Sequence, residues 1–465
     1  MLIAIARNTV RQSIRSGVLP VACIVVTLLL GLAAFAAHRH QRMLNAERAR
    51  YNEAVRTQWL EQPDRHPHRV SHYGYLAFRV KSPLSFFDGG VDSYAGTAVF
   101  LEAHRQNPAN FSEAGQSPVL ARLGELTPAL VLQLLVPLVV FFLGYAAISG
   151  ERENGTLALT LAQGVPPRVL LAGKTLGLLA ATALLLLPGL LLVLVLAGVS
   201  DPALLPRAAV LAGAHGIYAG ICALLAVGVS AASRTSRSAL TTLIMLWVFG
   251  WVAMPRALQA WGAAMAPAPS RSQFDAALEA ALEREGDSHN AADPHFAALR
   301  ARTLAEYKVA KIEDLPFNYS ALVMKEGEAI GSAIFGRRYG DLIATFRRQG
   351  EPLERGSLLN PYLAVRRISM ALAGSDMRHF IGFQRQAEAF RFAMIQKLND
   401  LHLHEVRSGD DGDQRLSKDR WRSFPVFEYR PPGLSDVLRE HGAALGSLAL
   451  WIALLSAALA FRTLR

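Results

Sequence analysis

The chain has 465 residues, 52% of them hydrophobic and 18% charged, with a mean hydropathy of +0.24. That is too apolar for an ordinary soluble enzyme and too polar for a chain lying wholly in lipid. Cys23 and Cys222 are the only cysteines and both sit in apolar runs, so a disulfide framework and a CxxC metal or redox site are excluded. A net charge of +11 comes from 48 Lys and Arg against 37 Asp and Glu, but no basic stripe with interleaved aromatics is left to contact nucleic acid.

In residues 1–16, Arg7, Arg11 and Arg15 recur at every fourth position on one helical face, with Ile3, Ala6, Val10 and Ile14 on others. This pattern predicts an interfacial helix lying in the membrane surface; the plainer reading is flanking positive charge. The first span follows at 17–37. Three arginines, an apolar stretch and Ala34-Phe35-Ala36 imitate a cleavable signal peptide, but the stretch exceeds an ordinary signal core, and we read an uncleaved anchor. From His38 to about Leu60 no Gly or Pro stops a helix, and Leu44, Tyr51 and Val55 keep near-heptad spacing, so the first span is expected to continue outward as a stalk. The rest of a first insert, 38–126, is aromatic and turn-rich between His66 and Asn107, which predicts strands and loops.

Four spans then cluster at 127–149, 170–199, 207–232 and 239–256, and a last one lies at 441–461. Each holds enough apolar sequence to cross about 30 Å of hydrocarbon. A second insert, 257–440, reads as mainly helical, with helix starts at Asp293-Pro294, Asn360-Pro361 and Ser375-Asp376. After Asp376 the stripe Phe380, Phe383, Ala387, Phe390, Met394 and Leu401 reads as core packing, and Asp410 to Asp413 as a flexible linker. The fold class expected is therefore an α-helical polytopic membrane protein, with six transmembrane helices and a mainly α, partly β extracytoplasmic domain built from two insertions.

Orientation follows from the short loops. Residues 1–16, 150–174, 233–238 and 462–465 hold ten Lys and Arg against Glu151 and Glu153, whereas both long inserts are nearly neutral. Both termini are thus expected in the cytoplasm and both inserts outside, as in a multi-pass protein of a bacterial inner membrane.

Chemistry-bearing motifs are sparse. Gly173-Lys174-Thr175 imitates the end of a phosphate-binding loop, but Arg168 stands where its first Gly belongs and the triplet opens a membrane helix, so any use of ATP requires a partner. No Ser-His-Asp order or HExxH motif points to an enzyme. His66, His68 and His72 are weak candidates for Zn or Cu ligands, with His38, His40 and His104 on the same insert; no metal is assigned. His215, beside Gly213, Gly216 and Gly220, is the ionisable residue well inside a span, an intramembrane candidate for a pathway or an interfacial cap. The glycines read as positions of close helix approach. Between spans two and three, the cytoplasmic segment 150–169 places Glu151 and Glu153 at the membrane boundary, then Gly155, a short apolar helix ending near Gly164, and Pro166-Pro167. A short helix held along the membrane in this way suits a protein that receives a push from a cytoplasmic motor.

The segment GERENGTLALTLAQGVPPRVLLAGKTLG (150–177) resembles the coupling segment and third span of ABC-2-type transporter permeases. HYGYLAF (72–78), GTAVFLEAHRQN (96–107), NPYLAVRRISMALAGSD (360–376) and WRSFPVFEYRPP (421–432) resemble a branch bearing a large, uncharacterised extracytoplasmic insert. The resemblance implies a permease subunit, exporting rather than importing, that pairs with a second permease copy or sister permease. Two ABC ATPase subunits would bind ATP and Mg, and this chain would hold no cofactor. It assigns Glu151, Arg152, Glu153, Gly155, Thr156 and Leu157 to ATPase coupling, and Arg7, Arg11 and Arg15 to the interfacial helix. The size of the inserts leaves room for an extracytoplasmic partner. The rival expectations are a mechanotransmission complex that moves no substrate, and a membrane-anchored binding or metal-sensing protein.

Overall fold

A computed structural model describes residues 1–116, 125–286, 290, 293–408 and 414–463; the acidic linker expected at 410–413 lies outside the described residues. Helix α1 (Leu2–Arg15) ends at Ser16, and Gly17, at φ 77°, turns the chain into α2 (Val18–Glu61). Helix α2 runs unbroken for 44 residues, about 66 Å at 1.5 Å per residue, more than twice the hydrocarbon thickness. One helix thus carries Leu19, Val26 and Leu30 in an apolar bundle and Trp59 in a separate core.

The short α3 (Pro67–Ser71) leads to β1 (Tyr75–Phe78), which pairs antiparallel with β2 (Ala98–Leu101), Tyr75 opposite Leu101. Then come α4 (Pro128–Glu153), α5 (Thr156–Ala162), α6 (Pro167–Ser200), α7 (Leu205–Ala232) and α8 (Ser236–Met265). After them lie α9 (Arg271–Glu285), α10 (Pro294–Tyr307), α11 (Tyr319–Leu359), α12 (Pro361–Ala373) and α13 (Met377–Glu405), then α14 (Leu434–Glu440) and α15 (Gly442–Ala460). Helices α10, α12 and α13 begin at Asp293, Asn360 and Asp376, whose side chains accept hydrogen bonds from first-turn amides.

Among the described residues six helices are long and apolar enough to cross a membrane: α2, α4, α6, α7 with the turn before it, α8 and α15. The protein is an α-helical polytopic membrane protein with an additional, mainly helical domain. Helix α7 is its hub, with 72% of its apolar stretch buried against 22% for α8 and α15, whose apolar faces are left to lipid. Close approach does not occur at the glycines expected. A Cβ on Gly213 or Gly216 would meet nothing within 4 Å, and one on Gly220 only ordinary contacts. Tight points are Gly144, where a Cβ would strike Leu178 and Ala226, Gly173 and Gly177, where it would strike Ile5 and Thr9 of α1, and Gly262, where it would strike the Gln349 backbone of α11. A glycine count along one helix does not say which face meets a neighbour. Helix α8 also continues nine residues beyond the 256 expected for its span.

Both inserts build one second core. Trp59 of α2, Tyr75 and Leu101 of the hairpin, Phe383, Ala387 and Met394 of α13, and Trp421 with Phe424 pack together, and the Trp59 indole donates to the Trp421 carbonyl at 3.0 Å. Lys397, which interrupts the stripe on α13, lies 4.2 Å from the Phe424 ring centroid. Beside this core the guanidinium of Arg391, fully buried on α13, meets Glu328 of α11 at 2.6 Å and Glu388 at 2.7 Å, and donates to the Glu102 carbonyl at 3.0 Å. A guanidinium removed from water is tolerated because all three partners are supplied. Helix α12 departs from the rest of the second insert: Tyr362, Ala364, Val365, Ile368 and Leu372 are buried in the membrane bundle.

Breaking the buried pair by Arg391→Met should cost about 3–5 kcal/mol in thermal unfolding, and adding Glu328→Leu should recover most of it. Glu113 ties the first insert to α2. Burial pushes its carboxyl upward, but the His40 hydrogen bond at 2.8 Å and the Lys81 ion pair at 2.7 Å outweigh that and hold it at about 2. The resulting stability is present above the ordinary value of 4.5 and lost as pH falls toward about 2. An acid titration of the melting temperature should show this component, and Glu113→Gln should remove it.

Candidate coupling surface and membrane core

Helix α5 is set off by backbone geometry. Gly155 at φ 73° and Gly164 at φ 79° take left-handed turns that other residues adopt at a cost, and Pro166-Pro167 then fixes the start of α6. Leu157 is buried and anchors α5 to the bundle, with Leu161 and Val165 partly buried beside it, while Leu159 is 64% exposed. The three charges before it bond to neighbouring elements. Glu151 pairs with Lys174 of α6, Arg152 donates to the carbonyls of Ser233 and Ala231 at the end of α7, and Glu153 accepts from the Ser236 hydroxyl at the start of α8. The Thr156 hydroxyl donates to the Glu151 carbonyl at 3.2 Å, and the Ser230 hydroxyl accepts from the Ile148 and Ser149 amides at 3.0 and 3.1 Å. Glu151, Arg152 and Glu153 therefore brace the segment to three spans, Gly155 and Leu157 set and seat α5, and the outer face of α5 is left open.

At the same end of the bundle α1 lies across α6. Ala6 is buried, and Gly173 and Gly177 let the α1 backbone approach, whereas Arg7, Arg11 and Arg15 are exposed. Helix α1 is thus seated on α6, with the three arginines on its open side.

The bundle interior holds a polar network around His215. Two proline residues explain it. Pro137 of α4 and Pro255 of α8 lack an amide hydrogen and crowd the preceding turn, and each follows a π-helical turn, Val131–Leu135 and Val248–Ala253. The carbonyls thereby released have no water to turn to in a bilayer. Side chains from other elements take them: the Tyr218 hydroxyl donates to the Gln133 carbonyl at 2.7 Å, the Trp247 indole to Leu134 at 3.1 Å, and the Asn360 amide to Gly250 at 2.6 Å. The Trp251 indole donates to the Tyr218 oxygen, and Tyr362 of α12 stacks on Trp251 at 6.2 Å. His215 is fully buried, its Nδ1 donating to the Leu211 carbonyl at 2.9 Å. Its Nε2 lies 3.1 Å from the Gln133 amide nitrogen. Phe87 covers the imidazole edge-on at 5.1 Å. His215 is thus a packed group with a partner at each ring nitrogen. Gln133, Tyr218 and Trp251 escaped the sequence reading, and Asn360 was read only as a helix start; prolines inside two apolar spans were the available signal.

Beyond Gln133, at the end of the bundle away from α5, opens a cavity of about 220 Å³ lined by Asp88, Tyr94, Gln133, Tyr362 and Arg366. The Asp88 carboxylate accepts from the Ser369 hydroxyl at 2.5 Å and the Gly90 amide at 3.1 Å, and burial pushes its carboxyl upward against these bonds and the charge of Arg366. Of the histidines singled out, His68 and His72 meet each other and His104, whereas the His66 ring packs on His402 at 4.5 Å.

Two family models match the chain. One, described as ABC-2 family transporter protein, covers residues 3–299, and the other, Domain of unknown function (DUF3526), covers 271–430. The chain is also similar to a probable ABC transporter permease protein NosY of Pseudomonas aeruginosa, 38% identical over 124 residues. That alignment takes in 25% of this chain and 44% of the relative, less than half of the relative's length.

Replacing Tyr218 by Phe leaves the Gln133 carbonyl without its donor inside the bundle and should cost about 1–3 kcal/mol, read as a lower melting temperature in detergent. Leu211→Phe, which touches packing and not this bond, serves as the comparison.

Proposed function

This chain belongs to the ABC-2 family of transporter proteins, and from that premise we propose that it is the permease subunit of an ATP-driven exporter in a bacterial inner membrane. Both termini and α5 lie in the cytoplasm, where two separate ATPase subunits bind Mg and ATP and dock on α5, beside α1. A second permease copy or a sister permease completes the membrane part, and the domain built from the two inserts stands outside. The observation that carries this reading is α5 itself, a short helix isolated by Gly155 and Gly164, seated by Leu157 and exposing Leu159. The run of Lys and Arg in the short loops at that end supports the orientation.

Closure of the ATPases presses on α5, and the braces divide the load: Glu151 passes it to α6, Arg152 to α7 and Glu153 to α8. Export is favoured because the polar cavity and the second domain both lie at the end of the bundle opposite α5, where cargo is released. The continuity of α2 from bundle to second core favours a second reading, in which the same stroke acts on an extracytoplasmic partner and moves no substrate.

Affinity purification of the tagged chain from native membranes, followed by an ATPase assay, tests the proposal. A P-loop ATPase should accompany the wild type and be lost from Leu159→Arg, which alters an exposed site only. Glu151→Gln with Glu153→Gln should keep the ATPase but lower its stimulation several-fold. Recovery of the chain alone in several mild detergents would overturn the reading. Accumulation in reconstituted vesicles separates export from mechanical transmission.

A further inference from the structure

We propose that His68, His72 and His104 form a binding site for a transition-metal ion of the zinc and copper class. One ring nitrogen from each of the three lies within 4.8 Å of the other two. His68 and His72 are four residues apart across α3, and their Nε2 atoms are 3.2 Å apart. Two imidazoles bound tetrahedrally at about 2.0–2.1 Å would place their nitrogens about 3.3 Å apart, so this pair already stands at the spacing of a chelate. The third ring comes from a different segment. Glu102 and Arg105 bridge one another just beyond β2, and His104 holds the left-handed conformation at φ 61° in the tight turn between them. The Ala103 amide donates to the Ser71 carbonyl at 3.1 Å, fastening that turn to α3. Ring centroids of His104 then lie 5.5 Å from His68 and 5.2 Å from His72.

A carboxylate stands behind the third ring, as outer partners of metal-bound histidines do. Glu328 accepts from the His104 amide at 3.0 Å, and the same oxygen lies 3.9 Å from His104 Nδ1. Glu328 is itself fixed by the buried Arg391. Exposure falls from His72, which is open to solvent, to half-buried His68 and His104, giving an ion a way in. An all-nitrogen set selects zinc and copper over calcium and magnesium, which take oxygen. The three nitrogens leave a fourth position for water or another ligand. In a rival group, His40 with Glu113 and Glu125, the Glu113 carboxylate is already paired with Lys81 at 2.7 Å, and the group carries no such case. A bound ion would tie α3, the end of β2 and, through Glu328, helix α11. It stands independently of the transport reading.

The test uses the full chain in detergent, purified through a tag without histidine, stripped with a chelator and titrated with zinc chloride by calorimetry. One equivalent should bind to the wild type and raise its melting temperature. His72→Ala, at an exposed position, and His104→Asn, whose new residue tolerates the left-handed turn, should each weaken binding by more than about tenfold and abolish the thermal shift. His404→Ala, at an exposed position outside the cluster, should leave the affinity unchanged. Cobalt in place of zinc should give the visible absorption of nitrogen-bound tetrahedral metal in the wild type and lose it in His72→Ala. The proposal fails if the wild type takes up no stoichiometric zinc, or if the His72 and His104 variants bind it as tightly as the wild type.

Discussion

Inside a bilayer a backbone carbonyl released from its helix must find a donor within the protein, and the membrane part of this chain is organised around that requirement. Pro137 and Pro255 each release carbonyls in a π-helical turn, and Tyr218, Trp247 and Asn360 satisfy them. Each repair joins two elements, so α4, α7, α8 and α12 are held together by bonds that no single helix could make. His215 and Trp251 complete the set, and α12 is drawn onto the bundle although it belongs to a polar insert. Packing of small residues contributes elsewhere, at Gly144 and at the crossing of α1 over α6.

Polar groups at the two ends of the bundle behave differently because their surroundings differ. At the α5 end the charges are short-range braces to neighbouring helix ends, partly exposed and replaceable in kind. In the second domain Arg391 and Glu328 are wholly removed from water, and removal of one strands the other. Helix α2 joins these regions without a break, and α11 reaches the bundle from the second core, its Ser357 carbonyl accepting from the Ser447 hydroxyl of α15 at 2.8 Å. The bundle and the second domain are therefore joined by continuous helices as well as by loops.

The segment 150–169 shows how far local sequence reaches. Gly, Pro and a short apolar run mark an interrupted helix, since each residue type limits its own backbone. The direction in which Glu151, Arg152 and Glu153 point was not legible, because their partners Lys174, Ser233 and Ser236 belong to elements placed only by packing. Among the histidines, His68 and His72 are neighbours by spacing alone. His104, 32 positions beyond His72, joins them through the hairpin, and His66, close in sequence, turns to His402.

The sequence by itself determined what depends on composition and near neighbours: six spans by apolar length, their separation by two long inserts, helix starts at Asp293, Asn360 and Asp376, and the absence of a phosphate-binding loop in the 168–175 segment. Tertiary structure alone decided which face of α7 meets a partner, which donors serve the carbonyls freed by two prolines, the burial of α12 in the bundle, and the meeting of three imidazoles from two segments. Helix and span signals are carried within a few turns of chain, whereas these contacts join residues tens to hundreds of positions apart, and only the packed chain brings such residues within a hydrogen-bond length.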